Sequence, residues 1–172
     1  AWSQFSHVQD RVSIWLDPWS DPGGAGYQVI QAAYALAWGG TTGTGPGLGR
    51  AVRIPADESD FIFAVIGEEL GLLGATAVLC AFLLLAGSGL RIARTSGDGF
   101  TALLTVGLTT LIAFQAFIII AGVIRLLPLT GVTLPFVSYG GSSLVANYVL
   151  LALLVRASDQ SARRVAEPVV AR

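Results

Sequence analysis

Three long apolar runs decide most of what this chain can become. Residues 70–90 read LGLLGATAVLCAFLLLAGSGL, residues 100–123 read FTALLTVGLTTLIAFQAFIIIAGV, and residues 136–155 read FVSYGGSSLVANYVLLALLV. Each reaches the roughly 20 residues that a helix needs to cross the hydrocarbon core of a bilayer. In lipid every backbone N–H and C=O must find its partner within the chain, so such runs fold as helices. The third run opens on polar residues and is the weakest of the three. Composition agrees: 53% of the residues are apolar and 12% charged, which is the balance of a membrane protein. The expected architecture is all-α. It is a polytopic membrane helical bundle of about three transmembrane helices, preceded over residues 1–69 by a large extracellular loop with short interfacial or re-entrant helices.

The arginines orient it. All ten basic residues are Arg. Arg91 and Arg94 follow the first span, and Arg156, Arg163 and Arg164 follow the third. Two spans separate the groups, so they share a side, and short Arg-rich connections mark the cytoplasm. Residues 158–172 are then a cytoplasmic tail, while residues 1–69 and Arg125 face outward. Arg11, Arg50 and Arg53 also fall outside, in a long segment that the rule discounts. A near-zero net charge without a basic patch gives no support for nucleic-acid binding. Cys80 is alone among Ala, Leu and Val and reads as a small apolar filler; His7 reads as a polar loop residue. No metal-ligand set is visible. The chain has no Met, and its opening, AWSQFSHVQDRV, is neither a signal peptide nor a span. It reads as the C-terminal piece of a larger protein, with part of any active site elsewhere.

The outward segment has its own organisation. WLDPWSDPGGAG, with Asp-Pro twice and then glycines, reads as turns. Residues 27–40, YQVIQAAYALAWGG, have helical composition but are too short to span. Residues 39–50, GGTTGTGPGLGR, read as a flexible connection. Alternatively, their backbone N–H groups could approach a phosphate.

Five carboxylates crowd the stretch ADESDFIFAVIGEEL at the edge of the apolar layer. Adjacent helical residues point about 100° apart, so Glu68 and Glu69 cannot share a face, and they read as structural, cavity-shaping groups. Asp60 is different. As a helix cap it would satisfy the free N–H groups of the helix that follows. As a chemical group it would be a carboxylate partly desolvated by Phe61 and Phe63, with a raised pKa suited to a general base. Arg125, at the outer end of the second span, either snorkels and pairs structurally or holds a phosphate bidentately. Gln115 lies mid-span and needs a polar partner or a cavity. Residues 128–143, PLTGVTLPFVSYGGSS, hold two prolines, three glycines and several hydroxyls between spans. The chain must turn there, partly re-enter, and start a helix at Ser142 or Ser143. Irregular backbone at that depth is tolerated where protein or a wet cavity surrounds it, so this segment should line a cavity.

These residues resemble the SEDS family, the RodA/FtsW/SpoVE proteins of shape, elongation, division and sporulation. PLTGVTLPFVSYGGSS is similar to that family's C-terminal signature, SDFIFAVIGEELGLLG to a second motif, and DPGGAGYQVIQAAYALAWGG with GTGPGLGR to a third. The order is the family's and the likeness runs from about residue 8 to 156. HVQDRVSIWLDPW and GVIRLLPLTG look more like actinobacterial RodA than FtsW. Ile119 stands where many members have Asn, Arg125 where many have Gly, and Ala56 where many have Glu. The resemblance implies spans eight to ten of about ten. It also implies a peptidoglycan glycosyltransferase that polymerises lipid II, with Asp60 as general base and a class B penicillin-binding transpeptidase as partner. A lipid II flippase and a non-catalytic scaffold are the competing readings. Substrate-binding roles would fall on Ser138, Tyr139, Gly140, Gly141, Ser142 and Ser143. Pro128, Thr130, Gly131, Pro135 and Gln115 would shape the cavity with Glu68 and Glu69. A leaving pyrophosphate needs a cation, for which Arg125, Arg50, Arg53, a divalent ion or a group elsewhere are open.

Overall fold

The computed structural model describes residues 6–49 and 59–166. Arg50, Arg53, Ala56, Asp57 and Glu58 therefore lie outside the described residues, as does the side chain of His7. The elements follow one another as α1 (Ser6–Leu16), a 3-10 turn (Pro18–Ser20), α2 (Tyr27–Gly39), α3 (Ile62–Thr95), α4 (Gly99–Val123) and α5 (Gly141–Ala166). No strand occurs among the described residues, so the fold is all-α as expected. Three helices, Ile62–Thr95, Gly99–Val123 and Gly141–Arg163, are long and apolar enough to cross a membrane.

A non-helical Gly71 divides α3, so residues 62–70 form a short helix of their own and the long apolar helix proper starts next to the expected residue 70 and runs on to Thr95. The last helix starts at Gly141, beside the expected Ser142 or Ser143, because Pro135 and a left-handed Phe136 (φ 64°) keep the chain before it out of helical geometry. Pro also removes a backbone donor and biases the residue before it toward extended conformations.

The core sits where α2, the start of α3 and the end of α4 meet. Ala32 and Ala35 from α2, Phe61, Phe63 and Ala64 from the α3 entry, and Ala116, Ile119, Ile120 and Val123 from α4 form one buried cluster with Leu134. Small residues let these helices approach closely, as membrane interfaces require. A Cβ on Gly39 would stand 1.8 Å from the Gly67 carbonyl oxygen, so α2 lies backbone to backbone against α3. Cys80 is exposed on α3 rather than filling the core.

The long helix α3 is broken near its start. Gly71 has φ 65° and ψ −163°, a conformation reserved for glycine. The break frees backbone groups on both sides, and the loop after α2 takes them up. Glu68 C=O accepts from Thr44 N–H (2.9 Å) and Thr44 Oγ1–H (3.1 Å), and Glu69 C=O accepts from Gly45 N–H (3.0 Å). Leu72 and Leu73 N–H donate to the carbonyls of Gly40 (2.9 Å) and Thr41 (3.2 Å). The glycine-rich loop is thus tied into the helix. Over residues 40–45 this replaces the expected flexible connection or phosphate nest with a docked segment: the N–H groups of Thr44 and Gly45 are spent on α3, and that of Gly43 on the Gly39 carbonyl.

Candidate active site

Asp60 stands one residue before the N-cap of α3. That cap is Phe61, and no side chain makes a capping hydrogen bond there. The structural alternative for Asp60, a helix cap, is therefore not what the chain uses it for. Phe61 and Phe63 turn into the core, 1% and 5% exposed, and leave Asp60 half-buried at the surface of a cavity.

That cavity, of about 180 Å³, is walled by Arg11, Ile14 and Trp15 of α1, by Ala25, Gln28 and Val29 around the start of α2, by Gly122 in the last turn of α4, and by Arg125, Leu127, Leu129 and Gly131 after it. Among the described residues its charged groups are Asp60, Arg11 and Arg125. A Cβ on Gly131 would stand 3.6 Å from Asp60 Oδ2 and 3.6 Å from both Arg11 terminal nitrogens. Carboxylate and guanidinium thus face each other across the space that a residue 131 side chain would fill. Gly131 also has φ 69°, so two independent demands favour glycine there. A crevice beside the cavity adds Thr130, Ile118, Ile119 and Val132 around the same Asp60 and Gly131.

Arg125 arrives by an unusual route. Leu126 N–H donates to Ala121 C=O (2.7 Å) and Arg125 N–H to Gly122 C=O (3.1 Å), which is a Schellman ending with Ile124 as C-cap. The position after the cap is left-handed and usually Gly, yet here it is Arg, with φ 61°. A left-handed L-residue costs about 1–2 kcal/mol. The side chain is then fixed to α1: Arg125 Nη2–H donates to Trp15 C=O (3.0 Å), and Trp15 Nε1–H donates back to Arg125 C=O (2.9 Å). One helical turn earlier on the same face of α1, Arg11 Nη1–H donates to Leu129 C=O (2.9 Å). Residues 11 and 15 therefore staple α1 over the chain leaving α4, and this makes α1 a wall of the site.

The remaining predicted residues form the support rather than the lining. Gln115 finds its partner in the segment between α4 and α5, donating from Nε2 to Thr133 C=O (2.9 Å). Thr133 and Ser143 share a hydroxyl–hydroxyl hydrogen bond, and Asn147 Nδ2–H donates to Ser143 Oγ (3.2 Å), which fixes that segment to the first turns of α5. Ser138, expected to bind substrate, is 2% exposed and fully engaged with backbone. It accepts from Leu134 N–H (2.7 Å) and donates to Ser59 C=O (2.6 Å), bracing the turn that carries Asp60. Pro135 is buried beside it, and Pro128 is half-buried in the loop after α4. Tyr139 and Ser142 are exposed, and Gly140 and Gly141 enter α5 next to them. Glu68, 3% exposed, and Glu69 flank the break in α3 and do not line the Asp60 cavity. Among the described residues no cluster of three or more His, Cys, Asp or Glu could hold a metal ion, so the cations they supply here are the two guanidinium groups.

Arg11 is the functional candidate that sequence reasoning passed over. It sits next to Asp10 in a helix of mixed polarity, and only the i, i+4 pairing of Arg11 with Trp15 hinted at a face turned inward.

The comparisons with known proteins concern the chain as a whole. A family model described as "Cell cycle protein", FtsW/RodA/SpoVE, matches residues 1–163. The chain is 51% identical to the peptidoglycan glycosyltransferase RodA of Mycobacterium tuberculosis (strain ATCC 25618 / H37Rv) over 163 residues, 95% of this chain and 35% of the relative. It is 42% identical to the stage V sporulation protein E of Bacillus subtilis (strain 168) over 153 residues, 88% of this chain and 42% of the relative. Among solved structures it is similar to a chain from work described as "Structural coordination of polymerization and crosslinking by a peptidoglycan synthase complex". That match has a TM-score of 0.76 and 28% identity, and covers 92% of this chain and 44% of the other. The chain spans well under half the length of the relatives it matches. By the family model over residues 1–163 and these identities, the chain belongs to the FtsW/RodA/SpoVE family of multi-pass membrane proteins.

Proposed function

We propose that this chain carries the outward half-site of a peptidoglycan glycosyltransferase that polymerises lipid II, with Asp60 as general base. The observation that supports it is Asp60 itself: a half-buried carboxylate without a capping role, on the wall of a cavity that also holds two arginines. In the reaction, the 4-hydroxyl oxygen of the acceptor attacks the anomeric carbon of the donor. Its proton passes to the Asp60 carboxylate. The bond from that carbon to the undecaprenyl diphosphate breaks, and the electron pair leaves on the diphosphate. Attack from the opposite face turns an α-linked donor into a β-linked glycan.

In this reading residues before about 70 face outward and the C-terminus is cytoplasmic, so the cavity opens toward the side where glycan is laid down. A class B penicillin-binding transpeptidase is the partner, consistent with the pairing of polymerisation and crosslinking named for the similar solved complex. The flippase reading needs polar groups deep in the spans. The side chain of Gln115 is instead occupied with the Thr133 carbonyl.

The test is glycan-chain formation from lipid II by the full-length protein with its transpeptidase. General-base catalysis contributes about 10²–10⁴-fold, and Asp60→Asn should lose that much while inserting and melting as wild type does. Polymerisation by Asp60→Asn at the wild-type rate would overturn the assignment.

A further inference from the structure

We propose that Asn147 is a positioning residue for the chemistry at Asp60, acting through Ser143 and Thr133; this rests on the reading of Asp60 as the general base. Residues 128–134 have no regular secondary structure. Within them Thr130, Gly131 and Val132 line the crevice at Asp60, and a Cβ on Gly131 would stand 3.6 Å from Asp60 Oδ2. A strip without a helix or sheet ladder takes its position from the side chains that satisfy and hold it. Thr133, the next residue along, is where those side chains meet. Its carbonyl accepts from Gln115 Nε2–H of α4 (2.9 Å), and its hydroxyl is hydrogen-bonded to that of Ser143 in α5. Asn147, one turn further along α5, donates from Nδ2 to Ser143 Oγ (3.2 Å).

Asn147 is out of keeping with its surroundings. It is 3% exposed, in a span whose residues from 144 to 155 are apolar apart from it and Tyr148. Such an amide is costly in a membrane helix and is retained for what it does. Its hydrogen bond to Ser143 lies within α5, so it does not itself join two helices. What it fixes is the Ser143 hydroxyl. That group has one proton and two lone pairs and can turn among three rotamers. With one lone pair taken by Asn147, it stays directed at Thr133. Helices α4 and α5 thus hold one residue of the strip between them, two positions from Gly131. A general base works only within hydrogen-bond reach of the proton it takes, and a displacement of about 1 Å can cost 10²-fold in rate. Asn147 and Ser143 line neither the cavity nor the crevice at Asp60, so their loss takes no contact from the substrate there. It loosens the wall beside the base, which slows turnover and leaves substrate hold as it was.

The experiment is steady-state polymerisation of lipid II by the full-length protein with its transpeptidase. Asn147→Leu keeps the volume and removes the donor. Ser143 retains Thr133 as a partner, so no buried polar group is stranded and the variant should melt close to wild type. Its kcat should fall about tenfold with KM unchanged. Ser143→Ala cuts the same link and should give the same split, while Ser143→Thr, which keeps the hydroxyl, should restore kcat. The double variant Asn147→Leu/Ser143→Ala should lose no more than Ser143→Ala alone, because both remove one connection. A spin label introduced through Val132→Cys, in a protein whose other cysteines are replaced, reads the strip without turnover. Asn147→Leu and Ser143→Ala should each make that label more mobile.

Wild-type kcat in Asn147→Leu and Ser143→Ala would overturn the positioning role. So would a raised KM at wild-type kcat, which would make Ser143 a substrate contact instead. A loss in Ser143→Thr as deep as in Ser143→Ala would also overturn it, because the hydroxyl would then not be what matters. The label separates this claim from the one it rests on. A label that loosens in a protein that makes no glycan in any form would refute the glycosyltransferase reading and leave the tether standing. A polymerising protein in which neither the label nor kcat responds to Asn147→Leu would refute the tether alone.

Discussion

The two ends of this helical bundle are built from different kinds of backbone. At the end where α3 runs into α4, every connection follows ordinary rules. Arg94 lies in the last turn of α3, and Ser96 N–H returns to the Ile92 carbonyl. Asp98 caps α4 by accepting from Phe100 and Thr101 N–H, and Ser96 and Ser161 join the ends of α3 and α5 through their hydroxyls. At the cavity end hardly any rule is kept. A glycine-only break interrupts α3, while Arg125 and Phe136 are left-handed without being glycine. The helix start at Ile62 has no side-chain cap. Regular helices can hold a polar group only on a face, whereas broken ones bring carbonyls, carboxylates and guanidiniums to a point. Strain of this kind persists only where surrounding structure holds it, and one of these positions, Arg125, lines the Asp60 cavity.

The largest break in that comparison is Gly71→Ala. A Cβ there would stand 2.3 Å from Gly43 N and 2.7 Å from the Thr41 carbonyl carbon, on a backbone conformation that only glycine adopts readily. The inserted loop and the helix cannot both keep their places. We expect a loss of more than about 3 kcal/mol, combining strain with unmade hydrogen bonds, read as a collapse of the thermal melting transition in detergent. A melting temperature equal to wild type would show that the break is incidental.

That break also marks where sequence reading stopped. The long spans were legible because hydropathy and length alone require helices in lipid, and the α4 boundaries follow from Asp98 and the end of the apolar run. That Gln115 needs a partner follows from the cost of stranding it, whereas Phe61 and Phe63, read as desolvating Asp60, are members of the buried core. What could not be read was reciprocity. Nothing local says that Thr44 and Gly45 serve the carbonyls of Glu68 and Glu69, or that Arg11 on a polar helix meets Asp60 across Gly131. Such pairings join segments tens of residues apart. Asp60 was singled out through its place at the edge of the apolar layer, but its separation from the helix cap is a matter of one residue, below what periodicity resolves.

Ser138→Ala comes next in size and sharpens the contrast. It removes the acceptor of Leu134 N–H in a buried site and the donor to Ser59 C=O. Leaving a buried donor unsatisfied costs about 1–3 kcal/mol. Because Ser59 precedes Asp60, polymerisation should fall as well, even though Ser138 does not face the cavity. Asp98→Ala at the ordinary end should cost a comparable or smaller amount, about 1 kcal/mol for a lost cap, yet leave polymerisation unchanged. Equal activity losses in the two variants would mean that the cavity end has no special claim on the chemistry.

The smallest expected effect is at the far end of α5. Arg163 Nε and Asp159 Oδ2 are 2.9 Å apart at i, i+4 spacing, and their side chains are 77% and 56% exposed. By distance alone this is as good an ion pair as any in the described residues. Its surroundings decide otherwise: both side chains reach water, and holding two mobile groups together costs entropy. The order of the two charges, Asp before Arg along the helix, suits the helix dipole and adds little. Arg163→Ala should therefore change stability by no more than about 0.5 kcal/mol, vanishing in high salt, with polymerisation intact. Arg125, less well placed by backbone geometry, should matter far more. If removing Arg163 cost as much activity as removing Arg125, then cationic charge anywhere on the protein, rather than its delivery into the Asp60 cavity, would be what the reaction requires.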